Sequence, residues 1–222
     1  MPDLTRRSRE LELLDVGVPA EEARRSLGDL RFVNRWLGDW SALRRAATPL
    51  LEAQAAPRVL DVGSGSAELA SLLRGRFPRA IVVAVDLKPL HLGEAPATLH
   101  RVAADARRLP FPPGSFDVVM ASLFLHHFDD EELPEVLASL FDQARRALVV
   151  NDLRRAQVPH LFGQLAFPLL FRSPVSVSDG LISIRRAFTP DELRGAFRAA
   201  GIRDVAFRRR FPYRLVAVAR KA

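Results

Sequence analysis

The chain has 222 residues, of which 48% are hydrophobic and 27% charged, enough apolar material for one α/β domain with added segments. It contains no cysteine, which excludes disulfides, thiolate metal sites and cysteine nucleophiles. The net charge is +7 and Lys88 and Lys221 are the only lysines; in a chain this rich in Ala, Leu and Arg we read the charge as nucleotide-composition bias rather than as a polyanion-binding surface.

The first residues, Met1 to Arg7, are polar and lack the apolar core of a signal peptide. The longest apolar stretch, Leu161 to Phe171, contains Pro168 and reaches only about half of the roughly 20 residues that a membrane span requires. The expectation is a soluble, cytoplasmic protein with no stable membrane insertion.

Residues 9–54 read as helices. Pro19-Ala20-Glu21-Glu22 is a helix start with early acids at the positive end of the dipole. Leu27, Leu30, Val33, Trp36, Leu37 and Trp40 then recur at helical spacing, and Pro49 precedes another short apolar helix. Residues 1–56 are therefore expected to form an N-terminal helical cap, an extension on the substrate side.

From Arg58 the pattern changes. Val59 to Val62 is a short apolar run ending in a glycine loop, and Glu68 to Arg76 a helix stopped by Phe77-Pro78. Ala80 to Val85 is a β-branched run without alternation, typical of a buried parallel strand. Leu99 to Ala104, Phe116 to Ala121 and Arg145 to Asn151 give three more strands, with a helix from Asp130 to Gln143. After Thr189-Pro190-Asp191-Glu192 starts a helix and Gly201 stops it, closing strands run from about Arg203 to Arg209 and Tyr213 to Arg220. The turn Phe211-Pro212-Tyr213 makes the last pair antiparallel. The alternation predicts an α/β protein with a doubly wound, seven-stranded sheet over 57–222, last strand antiparallel.

Three acids sit in register at strand ends. Asp61 precedes the loop Gly63-Ser64-Gly65-Ser66-Ala67; Asp86 ends the next strand, 25 residues on; Asp105, followed by Ala106, ends the third. In an open parallel sheet, ligands lie beyond the carboxyl ends of the strands, so the three acids converge. Glycines let loop N–H groups approach a ligand. Asp61 would repel a pyrophosphate but welcome a cationic centre with an α-amino group, which argues against a nicotinamide dinucleotide. A carboxylate at Asp86 can accept bonds from both hydroxyls of a ribose.

These residues, with Asp105 to Phe111 and Gly114 to Phe128, resemble the motifs of class I S-adenosylmethionine-dependent methyltransferases, and most of all the small-molecule enzymes of the UbiE/type 11 group. The resemblance is good over about 57–153 and looser beyond. The N-terminal helices and Ser183 to Pro190 are similar to bacterial relatives encoded beside polyketide-type pathways of secondary metabolism. The family implies a Rossmann-like fold with S-adenosyl-L-methionine as cofactor and S-adenosyl-L-homocysteine as product. It places Asp61, Gly63, Ser64 and Gly65 near the methionine end, and Asp86 with Leu87 at the ribose. Asp105 falls at the adenine amino group, Ala106 beside the ring, and Ser122 and Leu123 near the sulfonium. The third glycine of the family loop is Ala67 here, which the first helical turn tolerates, because helical dihedrals need no glycine.

Methyl transfer is an in-line displacement, so the protein positions the acceptor and removes its proton. His126, just past the fourth strand, is the expected base, chosen over His127 because consecutive residues do not both face a pocket. Asp152, at the end of the fifth strand, is the second acid/base or orienting residue. A metal would need carboxylates past strands four and five; strand four offers none until Asp129, so no metal is expected. The segment 156–182, with Leu161, Phe162, Leu165, Phe167, Leu169, Leu170 and Phe171, is the expected lid over an acceptor pocket, and Arg185 and Arg186 are either surface residues or ligands of an acidic acceptor group. The expected reaction is methylation on oxygen of a small aromatic, polyketide-like or lipid-like acceptor, with a homodimer left open. An RNA (rRNA or tRNA) methyltransferase is the alternative, with Arg208-Arg209-Arg210 as its best feature. Against a nucleic-acid partner, no Asn/Asp-Pro-Pro-aromatic turn follows the fourth strand and no separate RNA-binding module is visible.

Overall fold

Runs of β-branched and aliphatic residues build the centre of the molecule. The computed structural model of the protein describes residues 3–36 and 39–221; Leu37 and the side chains of Trp36 and Trp40 lie outside what it describes. The strands are β1 (Arg58–Val62), β2 (Ile81–Asp86), β3 (His100–Ala103), β4 (Phe116–Ser122), β5 (Ala144–Leu153), β6 (Val205–Arg210) and β7 (Arg214–Arg220). They form one sheet in the order β3-β2-β1-β4-β5-β7-β6, with β7 antiparallel to both neighbours. The expected doubly wound sheet is thus present, last strand antiparallel.

Helices cover both faces because successive side chains of the central strands point to opposite sides and both sides are apolar. On one face Leu60, Val83 and Val119 pack against α6 (Leu133–Gln143) and α9 (Pro190–Ala199) through Leu137, Leu140, Leu193 and Phe197. On the other, Val59, Val82 and Met120 pack against α3 (Asp39–Glu52) and α4 (Glu68–Arg76) through Leu43, Leu51 and Leu73. The remaining helices are α1 (Leu13–Val16), α2 (Ala20–Trp36), α5 (Pro89–Gly93), α7 (Gln157–Leu170) and α8 (Pro174–Arg186).

Three local expectations are corrected. Pro49 lies inside α3 rather than before a separate helix; its missing N–H removes one bond without ending a helix whose apolar face is buried. Strand β5 runs on to Leu153 because it pairs with β7 along its length. Ala67 is the N-cap of α4, not a member of its first turn, and adopts φ 59°, ψ 35°. An L-residue there costs about 1–2 kcal/mol, so this departure from glycine is a strained one, with the Ala67 methyl fully buried.

The order of connection reverses at β1, which lies between β2 and β4. That switch point opens a crevice at the carboxyl ends of the strands, where the loop and the three acids lie.

Candidate active site

The loop after β1 is held by alternating left-handed residues, Gly63, Gly65 and Ala67. A Cβ on Gly63 would fall 2.1 Å from the Phe124 ring, so the turn requires glycine. At Gly65 the nearest heavy atom to a Cβ would be Leu27 Cδ2 at 4.0 Å, which leaves the backbone open to a ligand. The loop also fixes its acid. Asp86 Oδ2 accepts from the Gly65 N–H at 2.9 Å and Oδ1 from the Lys88 N–H at 2.9 Å. Burial acts to raise the Asp86 pKa, but hydrogen bonds from His91 and these N–H groups outweigh it and hold the carboxyl below its ordinary range.

The other residues expected at the site surround the same space. Asp61 is buried within β1, Ser122 ends β4 and Leu123 follows it, where the Leu123 N–H donates to Asn151 O at 2.8 Å. Asp105 holds the Arg107 guanidinium at 2.7 Å, and Arg107 reaches on to Glu132 at 2.9 Å. Asp61, Gly63, Ser64, Gly65, Asp86, Leu87, Asp105, Ala106, Ser122, Leu123 and His126 all line one cavity of ≈ 1060 Å³. Asp152 does not reach its wall; it stands behind His126.

A 3₁₀ turn, Leu125–His127, carries the histidines. Both rings line the cavity and stack on each other with centroids 4.4 Å apart. The reasoning that consecutive residues face opposite ways is corrected by this tight turn, which is neither strand nor α-helix. Asp152 Oδ1 lies 2.7 Å from His126 Nδ1, and Glu12 Oε1 lies 3.4 Å from His126 Nε2. Asp15 Oδ2 lies 2.6 Å from His127 Nδ1. Burial acts to discharge His126, but the charges and hydrogen bonds of Asp152 and Glu12 outweigh it and push the pKa up to about 10. Burial also acts to raise Glu12, and the two imidazoles bring it down to about 2. His126 is therefore an imidazolium between carboxylates at neutral pH.

Stability should follow these shifts. The His126 value lies above the 6.5 of a free imidazole, so its contribution is full below that pH and is lost as pH rises through about 10. Glu12 lies below its usual 4.5, so its contribution is present above that pH and is lost as pH falls through about 2. We expect the denaturation midpoint of the wild type to fall between pH 7 and 10, and that of His126→Asn to fall less. Parallel curves for the two proteins would rule out the ion pair as the cause.

What holds the turn in place was not visible in the sequence. Arg186 is 1% exposed. Its guanidinium donates to His126 O and His127 O, each at 2.8 Å, and reaches Glu10 O and Asp129 Oδ1. Arg7 donates to Phe128 O at 2.8 Å and to Arg186 O at 2.7 Å. The expectation that Arg185 and Arg186 are surface residues or acceptor ligands is thus corrected: Arg186 is a buried strut, and Arg185 pairs with Glu10. Residues 8–16 are sewn over the cavity by further bonds, with Asp179 accepting from the Leu13 and Leu14 N–H groups at 2.7 and 2.9 Å. Ser183 Oγ donates to Glu12 Oε1 at 2.6 Å. Glu12, Asp15 and Asp179 are site residues that sequence reasoning missed, since they lie more than a hundred residues from the partners they meet or follow no motif. Among the described residues, Glu12, His126 and His127 also bring metal-ligating atoms within 4.8 Å of one another, with the bonded nitrogens already facing carboxylates.

The far wall is apolar. Val158, Phe162, Phe167 and Phe171 of the α7 region line the cavity, with the hairpin residues Phe211 and Tyr213 at its edge. The other apolar residues expected there, Leu161, Leu165, Leu169 and Leu170, point away from it into solvent.

A Rossmann-like sheet with a glycine loop and an acid at each of three strand ends is the architecture of the class I methyltransferases, and comparison with known proteins agrees. Residues 59–147 match the family model described as a methyltransferase domain. A malonyl-[acyl-carrier protein] O-methyltransferase of Geobacter sulfurreducens is 34% identical over 159 residues, covering 67% of this chain and 56% of that protein. A demethylmenaquinone methyltransferase of Thermus thermophilus is 36% identical over 110 residues, covering 46% of this chain and 50% of that protein. Among solved structures, human N-acetylserotonin methyltransferase in complex with SAM shares the fold, with a TM-score of 0.63 at 19% identity, over 96% of this chain and 63% of that one. So does the magnesium protoporphyrin IX methyltransferase of Synechocystis with bound SAH, with a TM-score of 0.61 at 20% identity, over 91% and 93%. Residues 59–147 thus carry a methyltransferase domain, and the chain has the fold of the class I S-adenosylmethionine-dependent methyltransferases. It spans about half the length of the curated relatives it matches.

Proposed function

We propose that this protein transfers a methyl group from S-adenosyl-L-methionine to oxygen on a small aromatic, polyketide-like or lipid-like acceptor, by in-line displacement and without a metal. The observation that carries the reading is the single cavity of ≈ 1060 Å³, which joins an acid-lined loop to an apolar wall with His126 between them. Its volume is at the upper end of the roughly 300–1,000 Å³ usual for ligand pockets, room for a cofactor and an acceptor together.

The loop end suits the cofactor. Ser64 Oγ is buried with no partner, Gly65 leaves its backbone open, and Asp86 keeps lone pairs beyond the two N–H groups that orient it. Asp86 would accept the ribose hydroxyls, with Leu87 beside them, and Asp105 the adenine amino group, with Ala106 against the ring. Asp61 and the backbone of Gly63, Ser64 and Gly65 would take the amino-acid end, with Ser122 and Leu123 near the sulfur. The cofactor supplies an electrophilic methyl carbon on a sulfonium and departs as S-adenosyl-L-homocysteine.

At the other end Asp152 is the positioning residue: it fixes the tautomer of His126 and leaves Nε2 toward the cavity. Glu12 holds the place that an acceptor hydroxyl needs, and its withdrawal removes one of the two carboxylates that keep His126 charged. Glu12 would carry the Nε2 proton away as it withdraws, leaving a neutral ring whose Nε2 would take the hydroxyl proton. On this reading 1–56 is the substrate-side cap, 57–222 the methyltransferase domain and 156–182 the acceptor-pocket insertion, whose second helix runs on to Arg186. The RNA reading is not favoured, because the acceptor wall is largely apolar and the two curated relatives above carry the names of small-molecule or carrier-bound acceptors.

A thermal-shift titration tests the cofactor half. S-adenosyl-L-homocysteine should raise the melting midpoint and NAD should not. Asp86→Ala should weaken the binding by about 10–100-fold, as expected for losing hydrogen bonds to a charged group. Stabilisation by NAD alone would overturn the reading.

A further inference from the structure

Helix α7 is apolar on all sides but covered on only one. His160, Gly163 and Phe167 are buried, whereas Val158, Leu161, Phe162, Leu165 and Leu169 are 60%, 51%, 52%, 70% and 86% exposed. Leu161, Leu165 and Leu169 are spaced i, i+4, i+8 and make one stripe. A helix of this kind in a water-soluble fold marks a surface meant to be covered. Beside it, the tip of the β6–β7 hairpin holds up Phe211, 91% exposed. The two pieces are joined: the Arg154 guanidinium lies over the Tyr213 ring at 4.6 Å, and the Arg154 backbone N–H donates to Tyr213 O at 2.8 Å.

The charge that the α7 segment and the hairpin carry has one sign. From Leu153 to Ser178 the sequence contains no acid, and its charges are Arg154, Arg155 and Arg172; the hairpin adds Arg208, Arg209, Arg210 and Arg214, again without an acid. Arg155 is buried against Glu192. Among the described residues, Arg154, Arg172, Arg208, Arg209 and Arg210 form no salt bridge within the chain. The patch is also continuous with the cavity, since Val158, Phe162, Arg210 and Phe211 belong to both.

We infer that the outer face of α7 and the β6–β7 hairpin tip form a peripheral docking surface for an anionic lipid bilayer, with the acceptor end of the cavity opening onto it. The leucine stripe and Phe211 enter the headgroup–acyl boundary, and the ring of arginines pairs with anionic headgroups. The charge selects this occupant over a second copy of the chain, which would bring like-charged arginines face to face. The exposed apolar residues that patch and cavity share, Val158, Phe162 and Phe211, select a fluid apolar phase over a folded acidic protein. No helix among the described residues is long and apolar enough to cross a membrane, so the contact is interfacial.

Co-sedimentation of the full chain with vesicles tests this, and it does not read methyl transfer, so it can fail while the proposed activity stands. Vesicles of phosphatidylcholine are compared with vesicles of phosphatidylcholine and phosphatidylglycerol. Binding to the mixed vesicles is expected, weakened by salt and weak or absent on phosphatidylcholine alone. The double variant Leu165→Ser/Leu169→Ser changes only exposed positions, and its melting midpoint checks that it folds; it should lose at least about ten-fold in binding. Arg208→Gln/Arg209→Gln should erase the preference for the anionic lipid. Failure to bind either vesicle overturns the inference, as does binding that the leucine variant leaves unchanged. A concentration-dependent dimer that the leucine variant abolishes would likewise overturn it, by showing a second copy on this face.

Discussion

Replacing His126 with alanine should lower kcat by about 10²–10⁴-fold, the usual loss on removing a general base, with S-adenosyl-L-homocysteine still binding within a few-fold of wild type. The separation follows from position. The end of the cavity that we propose for the cofactor is built from the loop after β1 and the ends of β2 and β3, and His126 touches none of those acids directly. Its partners are Asp152 behind and Glu12 in front. The pH profile distinguishes a base from a packed structural residue. With its pKa held up to about 10, the active neutral ring becomes more abundant as pH rises, so the rate should climb above neutrality. Glu12→Gln removes one of the carboxylates that stabilise the charged ring, so the climb should move to lower pH. A His126→Ala enzyme with an unreduced rate, or a Glu12→Gln profile that does not move, would remove His126 from the chemistry.

Arg186→Met should cost about 3–5 kcal/mol, because cutting one side of a buried charged network leaves the other side unsatisfied. For a chain of this size that is a fall of roughly 6–20 °C in the melting midpoint. The variant keeps the length of the side chain but strips donors from His126 O, His127 O and Glu10 O and the counter-charge from Asp129. Arg186→Lys should not rescue it, since a point charge on a flexible stem cannot serve the turn carbonyls as a planar fork does. A midpoint within about 2 °C of wild type would show that the strut is replaceable.

The parts of the site that could be read in the sequence are the parts made locally. A β-branched run followed by an acid, as at Val82 to Asp86, states both the strand and the ligand end in a few residues, and parallel pairing then brings the acids together. The geometry of the histidine turn is not legible in the chain: an alternation rule that holds for strands does not apply to a 3₁₀ turn, so both rings reach the cavity. Ala67 carries no sign of its left-handed backbone, because alanine is ordinary in any conformation until its dihedrals are known. Helix α7 has too little polar contrast around its circumference to declare an inner face, which is why four of its leucines were assigned to a pocket they turn away from. Glu12, Asp15 and Arg186 were out of reach for a different reason. Each acts across a fold-generated distance, and nothing near Glu12 in the chain signals that it will meet His126.

On the proposed assignment of a cofactor end and an acceptor end, the two ends of the cavity come from different material. The cofactor end is made at the tips of buried strands, where β1, β2 and β4 pack between two helical layers. The acceptor end is made by α7, α8 and the β6–β7 hairpin, and α7 packs chiefly on α8. Substitutions at Val158, Phe162 or Phe211 can therefore reshape the far wall without disturbing the register of the sheet. A scaffold divided in this way can drift in substrate range while its donor chemistry stays constant. For an engineer the same division sets the order of work: recombine the α7 segment and the hairpin tip, and leave the strand ends alone.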